Sequence, residues 1–419
     1  KLNQVTEQTI VIGVDIASET HYARAFDWRG VELGKVFMFS NSSEGFESFT
    51  GWTNRLMEQS AKSRIIVGAE PTGHYWFGLA SYLHQKAITL VLVNPFHVKR
   101  TKELDDNHPS KTDRKDPKTI AKLVIEGRYS IPYIPEGVYA ELRVAMTCRD
   151  RIITEMTTVK NRIERWLKIY FPEYHEVFGA FEAKSSLLVL KTFQLPADIL
   201  KIGIEGVNQL WRTAKLRAVG MKRAKSLYEA AQRSIGCTEG SATARIELKL
   251  LLDDYQTKMS QHEAIMAVIE ELCMQIPAVK KLFDIKGVGL LTVGGFFAEV
   301  GDLGRFQSPK QIQKLAGLAI RENSSGKHKG QTGISKRGRA RLRRLLFQAV
   351  MPLVATNSEF REIHRYYTTR SNNPLKKKQS IIALSCKLIR VIYALVTKGV
   401  EYDPNKLISD IHRPVEIVA

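Results

Sequence analysis

The sequence predicts an α/β N-terminal domain with a mixed sheet, a helical coiled-coil middle and a mainly α C-terminal domain. In the first hundred residues, short apolar runs alternate with segments of helical periodicity. Two later segments repeat apolar residues at steps of three and four, which is typical of coiled-coil helices. After Pro277 the chain becomes rich in glycine and basic residues, which marks a separate C-terminal region.

Within the first domain, the strands are predicted from apolar runs. Residues 9–17 form a nearly continuous apolar run, as in a strand buried on both faces. Residues 21–27 and 31–39 are predicted as two strands of an antiparallel meander. The remaining elements are a helix at 42–61, a strand at 64–69, a helix at 74–86 and a strand at 89–93. This order, βββαβαβ and then helices, implies a mixed sheet covered by helices.

The coiled-coil stripes run from Leu142 to Tyr170 and from Leu248 to Cys273. They can pair with each other or across a dimer, and the pattern leaves both possibilities open. Arg149 and His262 lie at seam positions, where they weaken the packing but can fix its register. Residues 172–241 form a smaller, mostly helical insert. The predicted domains are 1–135, 136–276 with the insert at 172–241, 277–400, and a polar tail at 401–419.

The overall charge indicates a polyanionic partner. The 419 residues include 63 Lys and Arg against 43 Asp and Glu, a net charge of +20. Such an excess attracts nucleic acid through its field and through counterion release, although a merely soluble basic protein is the alternative. A hydrophobic content of 44% argues against a wholly disordered chain.

Cysteine usage and hydropathy are typical of a protein in a reducing cytoplasm. The four cysteines are scattered without a CxxC pair, so neither a disulfide framework nor a zinc site of usual spacing is expected. No run of about 18 uncharged apolar residues occurs, so no membrane partner is expected.

Acidic residues occur where buried strands ordinarily exclude them. Asp15 lies inside the first predicted buried strand, where an ionised carboxylate is costly unless a cation or hydrogen bonds compensate. Glu70 ends another apolar run and is expected at a strand end, where open sheets bind ligands. Asp113 and Asp116 are three residues apart, on one face of a predicted helix. Converging carboxylates suit Mg²⁺, and two such ions can clamp the attacking and leaving oxygens of a phosphate. Taken singly, each motif has an ordinary interpretation, such as a helix cap.

A glycine turn and a basic cluster are predicted to contact nucleic acid. The turn at Gly287 and Gly289 resembles a helix-hairpin-helix, whose backbone N–H groups hold a phosphate, although an ordinary turn is the alternative. The basic residues of the following segment are almost free of acidic neighbours, unlike a solvated helix face. They are Lys327, Lys329, Lys336, Arg337, Arg339, Arg341, Arg343 and Arg344.

This cationic segment also contains Ser324, Ser325 and Gly326. A serine hydroxyl becomes a nucleophile only when its proton is removed and the phosphate charge is neutralised. Arginines and Mg²⁺ can neutralise that charge. Because serine beside glycine is also common in ordinary loops, the residues alone favour a loop.

The motifs GVDIASETH, GAEPTGHYW and KTDRKD, followed by AGLAI, SSGK and ISKRGRARLRRLL, resemble the bridge-RNA-guided DEDD transposases, insertion-sequence family one hundred and ten. The resemblance covers residues 9–130 and 278–350. It implies an RNase H-like (RuvC-like) N-terminal domain and a C-terminal transposase domain. It also implies that Asp15, Glu70, Asp113 and Asp116 form a catalytic tetrad that binds Mg²⁺, with one or two ions and with Mn²⁺ as a possible substitute.

By the same resemblance, Ser325 is the nucleophile, with Ser324 as the alternative because the doubled serine allows a slip of one residue. The serine would attack a DNA phosphodiester, leaving a phosphoserine link and a free 3′ hydroxyl, and the reverse step would join donor to target DNA. The family further implies a structured bridge RNA as guide and a homodimer that assembles to a tetramer, in which serine and carboxylates meet across subunits.

Two rival functions remain open at this stage. The first is a Holliday-junction or structure-specific nuclease of the RuvC type, which uses the tetrad with water and forms no covalent link. The second is a nucleic-acid-binding scaffold without catalysis. Loss of recombination on Ser325→Ala would separate the transposase from the nuclease, and metal-dependent strand transfer would exclude the scaffold.

Overall fold

The chain divides into two units, Lys1–Ile134 and Pro135–Ala419. The computed structural model describes residues 2–105, 116–321, 324–325, 328–330, 332–409 and 411. The first boundary lies next to the predicted division at 135/136. The further divisions predicted within the second unit stay predictions.

The first unit contains a mixed sheet of six strands in the order β3-β2-β1-β4-β5-β6. The strands are β1 (Thr9–Asp15), β2 (Thr20–Phe26), β3 (Phe37–Ser40), β4 (Arg64–Ala69), β5 (Thr89–Val93) and β6 (Tyr129–Ser130). The helices are α1 (Ser43–Ser60), α2 (Trp76–Gln85), α3 (Pro95–Asp105) and α4 (Asp116–Ile125). β1 is antiparallel to β2 and parallel to β4, and β4 is parallel to β5. The predicted mixed sheet with helices is confirmed.

Helices cover both faces of this sheet. On one face, Ile10, Ile12 and Val14 of β1 are buried in a core that includes side chains of α1 and α2. On the other face, Val11 is buried with side chains of α4. Successive residues of a strand point to opposite faces, so burial on both sides explains the continuous apolar run of β1.

The prediction of a strand over 31–39 was wrong in its extent. β3 contains only Phe37–Ser40, and Glu32 makes an isolated bridge to Phe26. The interruption coincides with Gly34, whose φ of +95° breaks the extended backbone that a strand requires. The meander therefore has a short third strand at the edge of the sheet.

The second unit is mainly helical. Its helices begin with α5 (Gly137–Tyr170), α6 (Tyr174–Phe178), α7 (Lys184–Thr192), α8 (Pro196–Thr213), α9 (Met221–Gln232) and α10 (Ser241–Met274). They continue with α11 (Val279–Phe283), α12 (Leu290–Val300), α13 (Pro309–Leu315), α14 (Ala340–Thr356), α15 (Ser358–Thr369), α16 (Lys377–Lys398) and α17 (Pro404–Ile408). Short strands lie between α13 and α14, namely β7 (Ile320–Arg321), β8 (Ser324–Ser325), β9 (His328–Lys329) and β10 (Gly333–Ile334).

The two predicted coiled-coil stripes lie on α5 and α10, which pack against each other within the chain. Trp166 near the end of α5 donates a hydrogen bond of 2.9 Å to the carbonyl oxygen of Ala244 near the start of α10. Met146 near the start of α5 shares a core with Cys273 near the end of α10. The helices are therefore antiparallel. Each has 34 residues, a length of about 50 Å at the usual rise of 1.5 Å per residue.

This helix pair carries a core at each end. The insert helices α6–α9 pack around one end, with Trp166 and Trp211 among the fully buried side chains. At the other end, α12, α14 and α16 build the larger core. Among the described residues, α16 alone is long and apolar enough to span a membrane. Its Leu384 and Leu388 are fully buried in this core, as in the central helix of a globular domain.

Candidate active site

The strand-end carboxylates of the first unit lie on neighbouring strands. β1 ends at Asp15, and Glu70 follows directly after β4. The two strands are parallel, and Val14 is in register with Ala69. The structure therefore brings the backbones of Asp15 and Glu70 side by side at the edge where open α/β sheets bind ligands. Both residues are half-buried.

Two glycines allow α4 to lie very close to the sheet at this point. A Cβ atom on Gly13 would lie 1.9 Å from the carbonyl oxygen of Pro117, and one on Gly68 would lie 2.5 Å from a side chain of the same helix. Side chains alternate between the faces of a strand, so Asp15 shares the face of Gly13, and Glu70 that of Gly68. Asp15 therefore lies on the face of β1 that α4 covers, and Glu70 directly follows the strand whose Gly68 contacts α4.

Asp116 is the first residue of α4, next to Pro117, and its side chain is 14% exposed. An acidic side chain is favoured there because the N-terminus of a helix carries partial positive charge. Its carboxylate forms an ion pair with Lys102 of α3. Asp113, the fourth predicted ligand, lies outside the described residues.

In the described part of the chain, no group of three His, Cys, Asp or Glu side chains is arranged to hold a metal ion. The ammonium group of Lys102 instead supplies positive charge at Asp116. The predicted ligands nevertheless have the chemistry of a divalent-cation site, since they offer only oxygen donors. A cation already occupies one of them, which shows that positive charge is favourable at this position.

The turn at residues 287–289 joins α11 to α12, as predicted. Gly287 has a φ of +96°, which favours glycine, and a Cβ atom there would lie 2.7 Å from Oγ1 of Thr356. Gly289 precedes the first residue of α12, and a Cβ atom there would meet no atom of the described residues within 4 Å. The open space at Gly289 therefore lies at a helix N-terminus, where phosphate is favoured. Contact with DNA at these glycines stays a prediction.

Ser324 and Ser325 make up β8, which pairs antiparallel with β9. Ser325 stands opposite His328 in this two-stranded ribbon. Lys327, in the connection between the two strands, lies outside the described residues, and for Lys329 only the backbone is described. The serines thus lie on one arm of a ribbon, directly before its turn.

The structure divides the predicted basic cluster into two groups, of which the first makes internal contacts. Arg339 donates hydrogen bonds to the backbone oxygen of Glu299, at 2.8 Å, and to its carboxylate, at 3.4 Å. Arg341 donates to a backbone oxygen of α5 at 2.9 Å. Arg343 donates at 2.9 Å to the backbone oxygen of the residue after α13. These three guanidinium groups therefore join elements of the second unit to each other.

The second group is exposed. Lys336, Arg337 and Arg344 are turned towards solvent, and the side chain of Arg344 is 66% exposed. Arg344 also lies 3.9 Å from Asp150, but its exposed side chain, like those of the other two residues, is accessible to a phosphate group. These three residues are consequently the members of the described cluster best suited to bind nucleic acid.

Sequence reasoning missed two charged residues of these sites. Glu299 is the one acid of the apolar helix α12 and is 9% exposed. A single acidic residue in an apolar helix indicates a buried ion pair. The same reasoning from an acidic residue in an apolar run identified Asp15 as a candidate site residue. Lys102 could not be identified in this way, because its pairing with Asp116 joins two helices whose packing the sequence does not reveal.

Comparison with known proteins places both units in one family. Residues 12–172 match the family model of the DEDD transposase of IS110 elements, and residues 279–365 match the transposase IS116/IS110/IS902 family. The first match contains the four predicted carboxylates. The second contains the glycine turn, the serines and the basic cluster.

Individual relatives agree with this assignment. The transposase for insertion sequence element IS1111A of Coxiella burnetii is 24% identical over 400 residues, which is 94% of this chain and 91% of the relative. A protein of insertion element IS116 from Streptomyces clavuligerus is 24% identical over 68% of this chain and 71% of its own length. A pilin gene-inverting protein of Moraxella bovis is 33% identical over 29% of this chain and 38% of its own length. The chain belongs to the IS110 family of insertion-sequence transposases, which are DNA strand-transfer enzymes.

Proposed function

We propose that this transposase cuts and rejoins DNA through a covalent phosphoserine intermediate, with Ser325 as nucleophile and a carboxylate site that binds Mg²⁺. The observation that carries the proposal is that β1 and β4 end side by side at Asp15 and Glu70, with the start of α4, which begins at Asp116, packed against Gly13. The register of β1 with β4 and the contact of α4 with Gly13 support it. The antiparallel meander on one side of β1 and the parallel strands on the other support an RNase H-like, RuvC-like domain.

The carboxylates of Asp15, Glu70, Asp113 and Asp116 would hold the divalent cation, or two such ions. When bound, the cation lowers the negative charge on the attacked phosphate and the pKa of a hydroxyl group at its oxygen. Binding requires the carboxylate of Asp116 to exchange its ion pair with Lys102 for the cation. The ammonium group would then be released next to the site, where it can pair with a phosphate oxygen of the DNA.

In the first step, Oγ of Ser325 attacks phosphorus while its proton passes to a base. The bond from phosphorus to the 3′ oxygen breaks, and that oxygen takes up a proton to become the 3′ hydroxyl. The DNA is left with its 5′ phosphate joined to the serine. In the second step, the 3′ hydroxyl of another strand attacks this phosphoserine and restores the serine. The two steps conserve the number of phosphodiester bonds, so strand transfer requires no energy cofactor.

The exposed basic residues Lys336, Arg337 and Arg344 would hold donor and target DNA by their phosphates. We further propose a structured bridge RNA as guide, on the strength of the motifs that resemble the bridge-RNA-guided family; the net charge of +20 suits RNA and DNA equally and does not distinguish them. A homodimer that assembles to a tetramer would bring the serine of one copy to the carboxylates of another.

The function is tested by strand transfer between two plasmids with the variants Ser325→Ala, Ser324→Ala and Asp15→Asn. Ser325→Ala and Asp15→Asn should abolish transfer, whereas Ser324→Ala should retain it, as the matched control for loss of a hydroxyl in the same strand. Continued cutting by Ser325→Ala would indicate a nuclease that uses water. Loss of strand transfer in Ser324→Ala, but not in Ser325→Ala, would identify Ser324 as the nucleophile.

The oligomer is tested by mixing two inactive variants, Ser325→Ala and Asp15→Asn. If serine and carboxylates meet across subunits, a mixed oligomer contains one site with both groups intact, and the mixture should regain part of the activity. A mixture as inactive as its components would contradict sites shared between copies.

A further inference from the structure

A cleft of about 390 Å³ opens between α5, α12 and α14 of the second unit. Its volume lies in the range of about 300–1,000 Å³ that is usual for small-ligand sites. Met146 and Ala298 form part of its buried floor, and Leu291, Arg344 and Pro352 are exposed at its rim. The cleft thus combines an apolar wall with charged groups.

The charges of the cleft favour an anion. Arg149, Arg341 and Arg344 line it together with Asp150 and Glu299. Both carboxylates are already paired: Asp150 lies 2.8 Å from Arg341 and 3.1 Å from Arg149, and Glu299 lies 3.6 Å from Arg341. Outside the cleft, a further arginine of the basic cluster also bonds to Glu299. Guanidinium groups therefore outnumber carboxylates, which leaves positive charge for a ligand.

Two of these arginines retain unused hydrogen-bond donors. The side chain of Arg149 is 20% exposed in the cleft, and its hydrogen bond to Asp150 is made by Nη1. Arg344 is 66% exposed and reaches Asp150 only at 3.9 Å. Since a guanidinium group has five N–H donors, these side chains can bind a phosphate without giving up their present ion pairs.

The cleft also contains apolar side chains and a backbone acceptor. Leu291 is 38% exposed there, so its side chain is accessible to a ligand in the cleft. Pro352 lies inside α14 and has no N–H group, so the carbonyl of Gln348 lacks the donor that a helix ordinarily provides four residues later. Both residues line the cleft. An apolar surface beside a backbone acceptor suits a nucleobase, which has flat faces and amino groups at its edge.

We infer that this cleft binds one unstacked nucleotide of a single-stranded nucleic acid, with the base against Leu291 and Pro352 and the phosphate at Arg149 and Arg344. A duplex cannot reach into it, because its bases are stacked and paired. The inference depends on nucleic acid as the family's substrate. It does not depend on the serine chemistry or on the carboxylate site proposed above.

The test is fluorescence anisotropy of the full-length chain with a short labelled oligothymidylate and with the same strand lacking its bases. EDTA in the buffer prevents cutting, so the result is separate from the proposed catalysis. Wild type should bind the strand with bases about tenfold more tightly, since stacking of one base provides an effect of this order. Leu291→Asn should abolish this preference, whereas Met351→Asn, an exposed position of α14 outside the cleft lining, should keep it.

The phosphate contact is tested with Arg344→Gln, which should weaken binding of both strands by a similar factor. The matched control is Arg212→Gln, an exposed arginine of the insert helix α8, which should bind as wild type does. Equal binding of the two strands by wild type would overturn the inference, as would a preference that survives Leu291→Asn. Equal weakening by both arginine variants would show a general charge effect and would likewise overturn it.

Discussion

Replacement of Gly13 by alanine should displace α4 and with it Asp116. The added Cβ atom would lie 1.9 Å from the carbonyl oxygen of Pro117 and 2.9 Å from the backbone nitrogen of Ala121. Both contacts are to backbone, so no flexible side chain can move away. Ordinary contacts begin at 3.4 Å, and α4 must therefore retreat by about 1.5 Å to relieve an overlap of the kind that costs about 1–3 kcal/mol.

The effect on activity should be larger than the effect on stability. A displacement of about 1 Å in a catalytic group lowers the rate of an enzyme by about 100-fold. Gly13→Ala should therefore reduce strand transfer by at least about this factor, while the free energy of unfolding falls by about 1–3 kcal/mol. Strand transfer between plasmids and urea unfolding measure the two effects.

Gly220→Ala is the matched control, because a Cβ atom at Gly220 would lie more than 4 Å from every atom that the structure describes beyond its chain neighbours, and its φ of −170° suits any residue. It should transfer strands and unfold as wild type does. A Gly13→Ala variant with wild-type stability and wild-type strand transfer would refute the reasoning. Either α4 would not lie on β1 as described, or the position of Asp116 would be irrelevant to the reaction.

Three further variants test separate contacts. Lys102→Met removes the cation paired with Asp116, so half-maximal strand transfer should require several-fold less Mn²⁺. Burial alone would raise the pKa of Asp198, but hydrogen bonds from Arg245 and from the backbone outweigh it, so the pKa of this carboxyl group is lowered in the folded chain. The pair therefore stabilises the fold above about pH 4, and this contribution is lost at lower pH. Asp198→Asn should lower the free energy of unfolding by about 0.5–1 kcal/mol at pH 7, since the pair is partly exposed. The free energy of unfolding of this variant should also fall less steeply as the pH is lowered below about 4. Arg337→Gln should weaken DNA binding and reduce the salt slope by about one unit.

Each variant has a control of the same chemistry. Lys99→Met lies on the same helix α3 and is exposed, Asp253→Asn is exposed on α10, and Arg212→Gln is exposed on α8. An unchanged Mn²⁺ requirement in Lys102→Met would contradict competition at Asp116. If the free energy of unfolding falls as steeply with decreasing pH in Asp198→Asn as in wild type, the stabilising role of the ion pair is contradicted. If Arg337→Gln leaves the salt dependence of DNA binding unchanged, Arg337 does not contact DNA.

The strands of the first unit could be predicted from the sequence where one physical pattern dominated. β4 and β5 have the predicted bounds, because their apolar runs are short and end at turn residues. The prediction of a strand over 31–39 was wrong in its extent because Gly34, within this segment, has a positive φ. The pattern of apolar and polar residues gives no indication of such a backbone conformation. Burial of the sheet on both faces was similarly visible in the continuous apolar run of β1.

Partner choice could not be predicted. The heptad stripes of α5 and α10 were correct as elements, but a stripe does not specify which helix fills its seam, and here the two are antiparallel partners. In the basic cluster, counting charges gave no distinction between Arg339, which bonds to Glu299 within the unit, and Arg337, which is exposed. A guanidinium group can donate hydrogen bonds to a backbone carbonyl as well as to a phosphate.

The central claim is most directly tested by trapping the protein on a DNA strand interrupted next to the cut site, so that rejoining cannot occur. Mass spectrometry then identifies the residue that carries the DNA phosphate. The account predicts an adduct at Ser325 that forms only with a divalent cation and is lost in Asp15→Asn. Cleavage without any protein–DNA adduct, or an adduct that forms equally well in EDTA, would contradict it.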